Sequence, residues 1–142
     1  SGRRLYVPCW KAGAVIETDA RTLCQQRRFD VGGTAQEVVV SSDGLMLYAT
    51  NQGGWLNVIK LSTGHIDTVT LDAPAVSLAL SPDDEVLYVG LVFDGKVLVI
   101  DRHTLRVTAT INTGGKPRGI TFDRTGRAGL IANEAGWVDL VH

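Results

Sequence analysis

Cys9 and Cys24, His65, His103 and His142, and the regularly placed Asp43, Asp83 and Asp123 are the side chains of this sequence that could serve as nucleophile, ligand, acid or base. Each kind of chemistry needs partners at a set spacing. A zinc or thiol-redox site calls for Cys-x-x-Cys or clustered histidines, and neither occurs. Hydrolysis by a Ser-His-Asp set needs the three groups on one loop face, and no such set converges. A glycosidase-type acid and base are two carboxylates across one cleft. Here the three aspartates each follow or open a short Ser, Pro, Gly or Thr turn, where Asp sets turn geometry. The double glycines Gly32-Gly33 and Gly114-Gly115 lack the Lys-Ser/Thr and the following helix of a phosphate loop. The expectation from these residues is therefore no catalytic site, no metal and no cofactor.

The elements that would position these residues come from an internal repeat. Leu5-Tyr6-Val7 recurs as Leu47-Tyr48-Ala49, Leu87-Tyr88-Val89 and Gly129-Leu130-Ile131, and Gly13, Gly54, Gly95 and Gly136 follow one another at intervals of 41 residues. Two more landmarks share this register. One is the turn at Ser41-Ser42-Asp43-Gly44, Ser81-Pro82-Asp83-Asp84 and Asp123-Arg124-Thr125-Gly126. The other is the pair at Gly32-Gly33, Asp72-Ala73 and Gly114-Gly115. Within each unit the apolar period is two, which predicts strands. Val76, Leu78 and Leu80 alternate with Ala75, Ser77 and Ala79, a strand small enough to be buried on both faces. Val86 to Val89, Val97 to Ile100 and Val107 to Ile111 follow. Four short antiparallel strands in about forty residues is one blade of a β-propeller. Such a sheet hides both faces only when blades stack.

At these residues the chain resembles the YVTN β-propeller repeat family. It has Ser81-Pro82-Asp83-Asp84 for the inner turn, Leu47-Tyr48-Ala49-Thr50-Asn51 for the second strand, Val99-Ile100-Asp101 for the third, and Ala109-Thr110-Ile111 with Gly114-Gly115 for the outer strand and exit. Cys9-Trp10 and Gly129-Leu130-Ile131 depart from the pattern. The resemblance implies a scaffold that is periplasmic or extracellular. It does not imply an activity.

Residues 1–142 are thus read as a single all-β domain of about 3.5 propeller blades, with repeats at about 1–31 (partial), 32–71, 72–113 and 114–142 (partial). The strand count is three, four, four and three. Natural rings carry about four to eight blades. The ring is expected to be completed by a second copy of the chain or by further sequence. Cys9, at the end of a second strand, and Cys24, in the turn after a third, lie at opposite ends of one blade. A strand of five residues separates them by about 16 Å, and a disulfide needs Cα atoms within about 7 Å. Cys9 is read as a buried small hydrophobe and the pair as unbonded. His65 and His103 fall in surface turns between third and fourth strands.

One rim remains as a candidate contact surface. Loops between second and third strands bring Trp10 and Lys11, Asn51 and Gln52, Phe93 and Asp94, and Asn133 and Glu134. The entries to the inner strands bring Gln36, Lys116 and Arg118. Aromatic groups among polar neighbours have the composition of an interface. Trp55 and Trp137 are read instead as covers for strand edges or blade junctions. Charged residues make up 20% of the chain and the net charge is -1. No basic face is expected to hold nucleic acid. No apolar run approaches a membrane span, and no leader pattern opens the sequence. The function this supports is a non-catalytic scaffold or binding module that self-associates, with a dimer favoured, or binds a protein or small ligand. The alternative is a fragment of a larger propeller enzyme of the lyase, hydrolase or quinoprotein kind.

Overall fold

The structure, a computed structural model, describes residues 2–142. Its strands follow the alternation in the sequence. β1 (Arg4–Cys9), β2 (Ala14–Asp19) and β3 (Gln25–Asp30) form the first sheet, with a 3₁₀ turn at Trp10–Ala12 between β1 and β2. β4 (Ala35–Val40), β5 (Met46–Asn51), β6 (Trp55–Lys60) and β7 (His65–Thr70) form the second. The third contains β8 (Ser77–Leu80), β9 (Val86–Leu91), β10 (Lys96–Asp101) and β11 (Val107–Asn112). The fourth contains β12 (Pro117–Phe122), β13 (Gly129–Asn133) and β14 (Trp137–Val141). Every sheet is an antiparallel meander whose neighbours in sequence are neighbours in space. The chain is an all-β partial propeller with strands in the expected three-four-four-three pattern. The inner strand of the third blade, β8, is shorter than its apolar run: Ala75 N–H donates to Asn51 O of the second blade, and Val76 N–H to Gly90 O of β9 just ahead of the ladder.

The core lies between blades. One cluster joins Val15, Phe29 and Val31 of the first blade to Leu47, Ala49, Ile59 and Leu61 of the second. Another joins Tyr48, Leu56 and Val58 of the second blade to Leu78, Leu87, Val89 and Ile100 of the third. Period-two alternation sends successive side chains to opposite faces, so each middle blade has two buried faces. Tyr88 closes the third junction, its ring edge-on to Phe122 with centroids 5.0 Å apart. Inner strands β4, β8 and β12 lie side by side along the axis.

Candidate functional site

The rim is built by backbone hydrogen bonds. Loops between second and third strands touch the segments entering the next blade or its own inner strand. Gly13 O accepts from the N–H groups of Val31 and Gly32, and Gly95 O accepts from those of Thr113 and Gly114. Gln52 N–H donates to Thr34 O and Glu134 N–H to Lys116 O, both at 3.0 Å. These bonds put Trp10, Lys11, Gln36, Gln52, Phe93, Asp94, Lys116, Arg118 and Glu134 on one end of the array. Trp10 and Phe93 are exposed rather than folded over the blades. Arg118 Nε meets Glu134 Oε1 at 2.5 Å, a surface ion pair. Gln36 is half-buried, and its Nε2 has no protein partner.

Asn51 and Asn133 belong to the same rim by chain position, but their side chains are buried and fully used. Asn51 Oδ1 accepts from Thr34 N–H at 2.9 Å and Gly53 N–H at 3.0 Å, while Nδ2 donates to Gly32 O at 2.8 Å. Asn133 repeats the pattern with Lys116 N–H at 2.7 Å, Ala135 N–H at 3.1 Å and Gly114 O at 2.9 Å. They are clamps on the blade entry and leave the contact set. Beneath each clamp Gly33 and Gly115 sit at φ 46° and 51°, and a Cβ on either would run into the asparagine Oδ1. Trp55 covers the Gly33 turn and donates from Nε1 to Asn57 Oδ1 at 3.1 Å. Trp137 makes the matching bond to Asp139 Oδ2.

The remaining chemical candidates are placed apart. Cys9 and Cys24 are both free thiols. Cys9 is half-buried rather than buried, because no inner strand covers β1. His65 and His103 lie on the end opposite the rim, where their Nε2 atoms sit 3.1 Å from Asp67 Oδ1 and 3.2 Å from Glu85 Oε2, all exposed. Asp43 and Asp83 accept from the hydroxyls of Ser41 and Ser81, each at 2.5 Å, and from the N–H of Leu45 and Glu85. These bonds favour the ionised form and hold both carboxyls below their ordinary value. Among the described residues no group of three His, Cys, Asp or Glu side chains is placed to hold a metal.

Two polar networks were missed by the sequence reading. Glu17 is buried in the first blade, where Arg27 donates to its Oε2 from Nε and Nη2, and Arg4 Nε lies 3.7 Å from Oε1. Burial pushes its carboxyl up, but hydrogen bonds from Arg27 and Tyr6 outweigh this and hold it below the ordinary range. Arg27 Nη1 also reaches Leu61 O in the second blade. Arg102 pairs with Asp84 Oδ2 at 3.2 Å, and Asp84 Oδ1 accepts from Ser42 N–H, tying the third blade to the second. The first has one sequence signal, a charge in an apolar alternation, since Glu17 occupies the position held by Val58, Val99 and Leu140. Both networks sit at blade junctions, and each has members on a surface hollow, Arg4 and Tyr6 on one and Ser42 and Asp84 on the other.

No protein-family model and no curated protein matches the chain. Among solved structures it is similar to a chain of Kuenenia stuttgartiensis hydrazine synthase, with TM-score 0.91 and 21% identity over 99% of this chain. The chain spans 43% of the length of that neighbour. At this identity the likeness is one of fold. No helix among the described residues is long and apolar enough to cross a membrane.

Proposed function

We propose that the chain is a YVTN-type propeller scaffold that acts as an assembly or binding module through its rim. The observation that carries this reading is the backbone-locked rim itself, which presents exposed Trp10 and Phe93 beside Lys11, Asp94 and the Arg118–Glu134 pair. Rigid aromatic side chains with flanking charges of both signs suit a protein partner, whose affinity concentrates in a few such anchors. Capture on the immobilised chain tests it. A protein retained by the parent and lost by the Trp10→Ala/Lys116→Ala/Arg118→Ala variant, at unchanged Tm, supports the rim. Equal retention by both removes it.

A second reading is favoured by the near-complete superposition on one chain of an enzyme. In it these residues form part of a larger propeller enzyme, and activity then needs residues outside the 142. Activity in this chain alone would count against that reading.

A further inference from the structure

The loop between β9 and β10 departs from its two clamped counterparts. Between β5 and β6, and between β13 and β14, three residues make the turn. Gly53 N–H and Ala135 N–H donate to the clamp oxygens, and Gly54 N–H and Gly136 N–H donate to the carbonyls of Asn51 and Asn133. Between β9 and β10 the turn has four residues, 92–95. Leu91 stands where the clamp asparagines stand. The matching blade entry carries Pro74, which has no N–H for a clamp to hold, where the others carry Thr34 and Lys116. Leu91 and Val92 are buried, while Phe93 and Asp94 at the tip are exposed. Among the described residues neither the Asp94 carboxyl nor the Gly95 N–H has a hydrogen-bond partner.

An aspartate followed by glycine can react with its own backbone. The glycine nitrogen attacks Cγ of the aspartate, one water leaves, and a five-membered succinimide closes. Glycine permits this because no Cβ blocks the approach. Water then adds to one of the two imide carbonyls. One addition restores aspartate. The other gives isoaspartate, with the main chain continued through Cβ and the carboxylate left on Cα. The water lost on closure is regained on opening, and nothing is oxidised or reduced. The structural requirements are a carboxyl free to rotate onto the nitrogen and a nitrogen not held by an acceptor.

The sequence has two Asp-Gly pairs, Asp43-Gly44 and Asp94-Gly95. Folding restrains the first. Asp43 Oδ1 accepts from Ser41 Oγ at 2.5 Å and Leu45 N–H at 2.9 Å, and Gly44 N–H donates to Ser41 O at 2.9 Å. The bonds to its carboxyl also keep Asp43 ionised, the form that gives up an oxygen least readily. The second pair has none of these restraints. We propose that Asp94 is a site of spontaneous isomerisation to isoaspartate in the folded chain, and that Asp43, in the same dipeptide, is protected. This goes beyond the rim reading and needs no partner. Gly95 O is anchored by the N–H groups of Thr113 and Gly114, so the added main-chain carbon falls in the rim between a fixed Gly95 and the exposed Phe93.

The test is prolonged incubation of the chain at neutral pH, folded and in denaturant, followed by peptide mapping with electron-transfer fragmentation, which tells isoaspartate from aspartate. In denaturant both positions are expected to react at similar rates. In the folded chain position 94 is expected to react at least tenfold faster than position 43, because the hydrogen bonds around Asp43 must open first. Asp94→Glu, which would have to close a larger and slower ring, is expected to abolish the product at 94 and leave 43 unchanged. Its side chain is exposed, and an unchanged Tm verifies the fold. A folded chain that accumulates no isoaspartate at 94 while the denatured chain does overturns the proposal. Equal rates at 43 and 94 in the folded chain overturn it too.

Discussion

Asn51 shows how one side chain can hold two blades in register. Its amide satisfies two backbone groups of the crossover and one of its own loop at once, and buried backbone groups left without partners cost about 1–3 kcal/mol each. Asn51→Ala should therefore lower stability by about 2–3 kcal/mol, read from the denaturant midpoint, while Gln52→Ala next to it stays within about 0.5 kcal/mol. Equal effects would mean that the clamp carries no energy. Gly33→Ala should be at least as damaging, since it adds strain at positive φ and drives a methyl to 2.8 Å from the Trp55 ring. The turn aspartates act through ionisation. Asp19, Asp43, Asp83, Asp101 and Asp123 are all held below the ordinary value of 3.8, by hydrogen bonds from the neighbouring Ser or Thr hydroxyls and N–H groups. A carboxyl depressed in the folded state stabilises it above the unfolded value and loses that contribution as pH falls through the folded one. Stability should hold from neutrality to about pH 4 and then drop. Asp43→Asn should lower the neutral plateau and make the acid drop shallower. A midpoint with the same pH profile in both proteins would remove the turn carboxylates as its cause. The turn role of these aspartates was legible because Asx turns are local. The clamp was not, because chain position places Asn51 on the rim while burial turns its amide inward. The one trace of it is that asparagine occurs where the crossover is Gly-Gly, and Leu91 occurs where it is Asp72-Ala73.

At the scale of the blade, alternation decides which strands form, and the junction decides how firmly they hold. β2 alternates like any half-buried strand, yet it places Glu17 where its equivalents are Val58, Val99 and Leu140. A buried carboxylate is tolerable only when paired, and removal of one partner from a fully buried pair costs about 3–5 kcal/mol. Arg27 keeps about a third of its side chain in water, at 34%, so Arg27→Met should cost less, about 2 kcal/mol. Glu17→Val, which restores the apolar pattern of the other blades, should recover most of that loss in the double variant. Such recovery, measured as a double-mutant cycle by chemical denaturation, is expected because the penalty belongs to the unpaired charge. No coupling between the two positions would show that Arg27 acts only through its bond to Leu61 O. The meander and its strand edges could be read from period and turns alone, both being local properties. The Glu17–Arg27 pair lies across neighbouring strands of one sheet and is hinted at by a charge in an apolar alternation, whereas the tie of Arg102 and Asp84 to Ser42 depends on the stacking of sheets, and no local pattern announces it.

For the molecule as a whole, blades touch only their neighbours, so stability is close to a sum of blade and junction terms. The second and third blades have two junctions each, and the first and fourth have one. Native-state hydrogen exchange should therefore grade along the chain. Amides of β5, β6, β9 and β10 should exchange only through global opening. Those on the hydrogen-bonded sides of β1 and β14 should open locally, because β1 lacks an inner partner and β14 an outer one. Protection uniform from β1 to β14 in dilute solution would mean that the four blades unfold as one unit, and the nearest-neighbour account of this array would fall.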